Sequence, residues 1–229
     1  MTDMPDSPPF SADKLASVYP RLYHMCGADS CPSIQQHGLR STTALLDRFG
    51  YTGAEREEIE SRRRDDSVTI QHAELGKAVI RDNRPLTDAA LSRCLQGYTN
   101  REWYELLNRR VFFWLSRERL FKLLGAKAYR NKRQTVITVD TAALLARHAD
   151  RVTLSPINSG STIMNPVPRG PGTFRRIHEY PFEHWRAKRS LKKAVVELAV
   201  DYSVPDLRDL AIKVEQVDHG EVVETVWER

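Results

Sequence analysis

The chain has 229 residues, 41% hydrophobic and 28% charged, with a formal net charge of +5. That length supports one sizeable core, and no apolar run approaches the roughly 20 residues of a membrane span. The cation surplus leans toward polyanionic partners without identifying one.

Residues 1–17 begin rich in Pro, Ser and Asp and read as a disordered leader, with one domain over 18–229. The three cysteines, Cys26, Cys31 and Cys94, are an odd number without a secretory signal, which points to a reducing cytoplasm. Cys26 and Cys31 lie near His24 and His37, but the spacing fits no usual zinc knuckle, so no metal is expected.

Leu22, Tyr23 and Met25 give 21–25 the pattern of a half-buried strand. Ser30 before Cys31-Pro32 predicts a helix start, and Gly38 its stop. His24 then stands at a strand end beside a helix N-terminus, a place suited to the polar part of a ligand. A helix is predicted from Ser41 to Phe49, ended by Gly50. Thr52 and Glu55 have capping-box spacing for a helix over 53–64, which closes on Arg62-Arg63-Arg64. Those arginines are either a solvated end matched to the helix dipole or a clamp for a phosphate.

Val68, Ile70 and His72 alternate, and a turn at 74–76 makes this a hairpin running to Ile80. Helices are predicted near 88–95 and 101–108, the second with a Thr99/Glu102 capping box. Val111-Phe112-Phe113-Trp114-Leu115 is the strongest buried-strand signal, followed by a helix that Ser116 caps and Gly125 stops. Segments 135–139, 141–148 and 151–155 read as strand, helix and strand. The polar turn 156–162 could line a pocket.

Segment 165–181 carries Pro166, Pro168, Gly170, Pro171, Gly172 and Pro181 and cannot be regular structure. From 169 to 193 eight cations face two carboxylates, a local charge of +6, with Phe174, Tyr180, Phe182 and Trp185 interleaved. Cations plus aromatics suit single-stranded nucleic acid, charge for phosphates and rings for bases. The alternative is a soluble loop pinned by its aromatics. Segment 194–200 is an apolar strand with Glu197 inside it, a carboxylate that must be solvated, paired or present for chemistry. Residues 210–214 alternate, 218–220 turn, and 222–227 close the sheet. Neither a Rossmann glycine fingerprint nor a P-loop is present.

In order, these segments resemble the ADP-ribosyltransferase superfold, most closely the DarT-type toxins that modify bases in single-stranded DNA. The likeness rests on Leu22-Tyr23-His24-Met25 with Pro32-Ser33-Ile34 and His37-Gly38-Leu39, on the aromatic strand 111–115 with its serine-started helix, and on the closing strand 194–200 with Val204-Pro205. Departures are Cys26, where the family has threonine, and an aromatic strand without the family's prolines. Arg-Val-Phe-Phe-Trp-Leu and Ser-Pro-Ile-Asn-Ser-Gly also resemble a bacterial family of unknown function (DUF7002-like).

The resemblance implies an α+β fold of split antiparallel sheets with flanking short helices, and NAD as substrate without a metal. It implies that Glu197 holds the ribose 2′-hydroxyl and stabilises the transition state, or serves as proton acceptor, and that His24 holds the ribose beside the nicotinamide. One of Arg62, Arg63 and Arg64, with Arg63 favoured, would grip the cofactor phosphates; Tyr23, Phe113 and Ser159 would add cofactor contacts. Arg175, Arg176, Tyr180, Trp185, Arg186 and Arg189 would meet the acceptor, single-stranded DNA or RNA, and a cognate antitoxin would be a partner. Nicotinamide–ribose cleavage is oxocarbenium-like, so one carboxylate on the 2′-hydroxyl can offset the developing charge. The alternatives are transfer to protein, NAD hydrolysis, or a non-catalytic nucleotide- or nucleic-acid-binding module on the same fold.

Overall fold

The computed structural model describes residues 9–126, 129–163 and 166–229. The expected leader is corrected at its second half. Phe10 is buried and stacks on Phe182 with ring centroids 4.2 Å apart. Helix α1 (Ala12–Val18) is capped by the Ser11 hydroxyl and buries Leu15 completely. The proposed disorder of residues 1–8 lies outside the described residues.

Strand β1 (Arg21–Gly27) leads into helix α2 (Cys31–His37). Gly38 ends α2 at φ +72°, where a Cβ would lie 2.5 Å from the Pro205 backbone. Strand β2 (Leu39–Arg40) and helix α3 (Thr42–Arg48), capped by Ser41, follow. Helix α4 (Gly53–Glu60) is shorter than its sequence predicts, and Thr52 makes no side-chain cap. Arg62, Arg63 and Arg64 therefore lie beyond the helix, not on its last turn.

Strands β3 (Val68–His72) and β4 (Gly76–Ile80) form the expected hairpin. Helices α5 (Asp88–Cys94) and α6 (Asn100–Asn108) come next, and the Thr99/Glu102 box is complete. Strand β5 (Arg110–Trp114), helix α7 (Arg117–Leu124), strand β6 (Gln134–Asp140), helix α8 (Thr141–His148) and strand β7 (Val152–Ser155) match their sequence signals.

The stretch expected to stay irregular contains strand β8 (Arg175–Arg176), and helices α9 (Phe182–Lys188) and α10 (Leu191–Ala194) follow it. Strand β9 (Glu197–Asp201), strand β10 (Ser203–Val204), helix α11 (Leu207–Leu210) and the hairpin of β11 (Ala211–Asp218) with β12 (Glu221–Glu228) complete the chain.

The fold is α+β. Eight strands run in the order β12-β11-β6-β1-β5-β9-β7-β8, every neighbouring pair antiparallel. The β10–β2 and β3–β4 ladders stand apart. One sheet face buries Leu22, Phe113, Val139, Leu154 and Leu198 with Leu15 of α1 and Leu144 of α8. The other packs Met25 and Val136 under Leu120 and Leu124 of α7. A separate cluster lies beneath the β3–β4 hairpin, and another holds Trp103 and Tyr104 of α6. Among the described residues no helix is long and apolar enough to cross a membrane.

Candidate functional site

Between β1 and β6 the ladder is continuous over seven register pairs, whereas β1 and β5 meet only at Tyr23↔Trp114. Beyond that pair the strands part, and the His24 ring enters the seam. Its Nδ1–H donates to the Phe112 carbonyl at 2.9 Å, so the side chain satisfies an acceptor left without a strand partner. A carbonyl only accepts, which leaves Nε2 of the neutral ring as an acceptor. Burial pulls His24 down to about 4, with the nearby Arg81 charge adding to the effect.

A cavity of about 660 Å³ opens beside the seam. Its walls include His24, Cys26, the 27–30 turn, the chain leaving β4, Phe112, Trp114, Asn158 and Gly160. Cations predominate there: Arg40, Arg64, Arg81, Arg110, Lys132 and Arg133 against Asp29 and Asp82. Most are committed. Lys132 faces Asp82, Arg133 faces Glu224, and Arg110 lies over Phe174. Arg81 rests 4.5 Å from the Tyr129 ring centroid and, like Arg40, whose Nε is buried without a partner, joins no ion pair among the described residues.

The arginine triplet behaves otherwise than its sequence suggests. Arg62 pairs with Glu58 on the surface. Arg63 donates to the carbonyls of Leu86 and Arg84 and pairs with Asp65, so it fastens a loop and does not line the cavity. Arg64 reaches the wall, but its guanidinium is held by the Arg81 and Ile59 carbonyls and by Asn108 Oδ1. Burial brings it down to about 10. Arg81 is the residue the sequence left unmarked, because only the fold turns the exit of β4 toward β1.

Glu197 lies two strands from His24. The register Tyr23↔Trp114↔Glu197↔Ser155 places these residues in one row across the sheet. At a spacing of ~4.8 Å per strand, the Glu197 and Tyr23 backbones are roughly 10 Å apart. By strand alternation His24 leaves β1 on the other side from that row, and its ring packs edge-on against Phe113.

Glu197 is 5% exposed, and the Ser159 N–H donates to its two oxygens at 3.2 and 3.1 Å. Among the described residues it forms no ion pair. Burial pushes it up to about 7; Ser159 hydrogen bonding and the Arg169 and Arg119 charges offset only part of this. Arg169, itself buried, donates to the Ser159 carbonyl at 2.9 Å and so fixes the 158–160 turn. Asn158 and Gly160 face the cavity while Glu197 stands behind Ser159.

The remaining expected site residues divide. Tyr23 packs beneath α7, and Phe113 is wholly buried core rather than a cofactor contact. Tyr180 is core as well, its hydroxyl donating to the Ala194 carbonyl. It is no acceptor platform, because no edge or face of the ring is free. Arg175, Arg176 and Arg186 are exposed, with Arg176 tied to the Asp150 carbonyl. Arg189 stacks 4.1 Å from the Trp185 centroid and donates to the Pro156 carbonyl, at the turn that leads to Ser159. Arg119 of α7 lies 5.9 Å from the Trp114 centroid with its Nε buried and unpaired. Burial lowers its pKa, and the Glu197 charge opposes this in part. None of these residues except Trp114 lines the cavity. Among the described residues no three His, Cys, Asp or Glu side chains group to hold a metal.

An α+β protein with a cation-lined cavity at a parted strand seam, and a protonatable carboxylate behind its wall, is the class this geometry defines. The chain belongs to the DUF7002 family of unknown function, whose model matches residues 20–211. Neither the comparison with curated proteins nor that with solved structures yields a match.

Proposed function

We propose that this protein transfers ADP-ribose from NAD to a base in nucleic acid, as the DarT-type toxins it resembles do. The observation that carries the reading is the seam: the strands of His24 and Glu197 flank β5, with a cationic cavity beside the parting. Its volume, about 660 Å³, falls in the range usual for small-molecule sites.

The donors and acceptors suit a dinucleotide. Arg81, which rests on the Tyr129 ring and joins no ion pair among the described residues, would turn its guanidinium to the diphosphate, and bidentate bonding would fix its orientation. His24 Nε2 offers a lone pair to a ribose hydroxyl. NAD supplies an activated glycosidic bond. Glu197 does not line the cavity and would reach the ribose only with the Ser159 turn drawn aside; once ionised it would then accept from the 2′-hydroxyl and offset the positive charge that grows on the sugar as that bond breaks. The Ser159 N–H, which now occupies both carboxylate oxygens, is the donor that such a hydroxyl would displace. Arg119, Arg189 and Trp185 supply charge and a ring for the acceptor strand. A cognate antitoxin would be the cellular partner, and the cytoplasm the compartment.

A second reading, a module that binds nucleotide without turnover, is favoured by the position of Glu197 behind Ser159 and by the opposite senses in which His24 and Glu197 leave the sheet. Incubation with NAD and single-stranded DNA or RNA, followed by mass spectrometry, separates the two. The transferase reading expects an oligonucleotide heavier by one ADP-ribose, and no gain with Glu197→Gln. Nicotinamide release without an acceptor would assign hydrolysis, and labelled protein would redirect the acceptor. Salt-sensitive binding with no product would assign the module.

A further inference from the structure

We propose that Cys26 and Cys31 form an oxidation site for hydrogen peroxide, with Cys31 as the attacking thiol and Cys26 as the resolving one. The two thiols converge on one residue of β6. Cys26 Sγ donates to the Thr135 carbonyl at 3.8 Å, and Cys31 Sγ lies 3.2 Å from the Thr135 hydroxyl, which donates to it once the thiol is ionised. Cys26 is buried at the end of β1, whereas Cys31 is half-buried at the start of α2. Cys26 and the 27–30 turn between the pair are walls of the cavity, while the half-buried Cys31, beside that wall, is in part open to a small oxidant from solvent.

The pair is chemically unequal. Hydrogen bonding with Cys26 lowers Cys31 to about 6, while the same interaction and burial raise Cys26 well above the ordinary thiol range. Cys31 is therefore largely thiolate at neutral pH and Cys26 keeps its proton, the division of labour a reactive and a resolving cysteine need.

The Cys31 thiolate attacks one peroxide oxygen and the O–O bond breaks. Hydroxide leaves and takes up a proton as water, and Cys31 becomes a sulfenic acid. Cys26 then attacks that sulfur: the S–S bond forms, the S–O bond breaks, and the hydroxyl departs with the Cys26 proton as a second water. The bridge would tie β1 to α2 across the 27–30 wall.

Trypsin releases both cysteines in one peptide, 22–40, bounded by Arg21 and Arg40. After peroxide treatment of the full chain this peptide is expected to lose two hydrogens and regain them with dithiothreitol. Its oxidation should run about tenfold or more faster than that of buried Cys94. In Cys26→Ser the sulfenic acid should persist on Cys31 and be captured by dimedone; in Cys31→Ser no adduct should form. Should either variant misfold, alkylation of the wild-type Cys31 by iodoacetamide should rise with a midpoint near pH 6. An unchanged peptide 22–40, cross-linking between chains instead of within the peptide, or alkylation rising only near the ordinary thiol value of about 8.5 would overturn the assignment. None of these measurements depends on NAD chemistry.

Discussion

Replacing Glu197 by glutamine should make the protein more stable, and by an amount that grows with pH. Unfolded, this carboxyl loses its proton near 4.5; folded, it keeps it until about 7. Between those values the native state binds more protons than the unfolded state, so wild-type stability falls as pH rises through that window and levels off above it. At about 1.4 kcal/mol for each tenfold change in proton affinity, the carboxylate costs about 3 kcal/mol once fully ionised. Glutamine avoids the charge, and its carbonyl can still accept from Ser159.

Denaturant unfolding of both proteins across the pH range reads the difference, and subtraction removes every other titrating group. The two should be nearly equal at about pH 4.5 and separate by about 3 kcal/mol at about pH 8, a midpoint shift of roughly 6–12 °C in thermal scans. A constant difference across the range, or one that widens toward acid, would refute the reasoning. A buried carboxylate held at such cost is the usual mark of a group kept for chemistry.

Arg81→Gln should weaken binding of NAD or ADP-ribose about tenfold or more by calorimetry, through loss of a charge-assisted contact of about 1.5–3 kcal/mol. Arg63→Gln should lower stability and leave that affinity alone; the reverse pattern would return the phosphate role to the triplet. Leu15→Ala should cost about 2–5 kcal/mol in denaturant unfolding, because α1 buries it fully in the main core. Gly38→Ala should cost about 1–3 kcal/mol or more, since positive φ and the Pro205 backbone both oppose a Cβ. Arg119→Gln and Arg189→Gln should each lower the salt slope of single-stranded oligonucleotide binding by about 0.7, read by fluorescence anisotropy; unchanged slopes would move the acceptor elsewhere.

Where local chemistry decides the structure, the sequence was readable. The half-buried pattern of β1, the apolar run of β5, the alternation in β11, the serine cap of α7 and the stop at Gly38 all report interactions within a few residues. The two capping boxes show the limit. Thr99 and Glu102 close on each other, whereas Thr52 makes no cap and α4 ends at Glu60. Beyond α4, long-range contacts take over: Ser61 donates to Glu105, and Asn108 and the Arg81 carbonyl hold Arg64. Helix α1 escaped notice because Leu15 is its one buried residue, too little to set a periodicity. The aromatic and basic stretch misled at Tyr180, since a ring that fills a core and a ring that stacks on a base have the same spacing. Arg81, Arg119 and Arg169 acquire meaning only through partners on distant elements, and no local pattern announces them.

The Tyr19 hydroxyl accepts from the Val195 N–H at 3.3 Å and donates to the Leu191 carbonyl at 2.6 Å, clasping the chain just before it enters β9. Tyr19, just ahead of β1, thus anchors the chain two residues before Glu197. Removing that hydroxyl, as in Tyr19→Phe, would free the entry to β9 and loosen the backbone that carries Glu197.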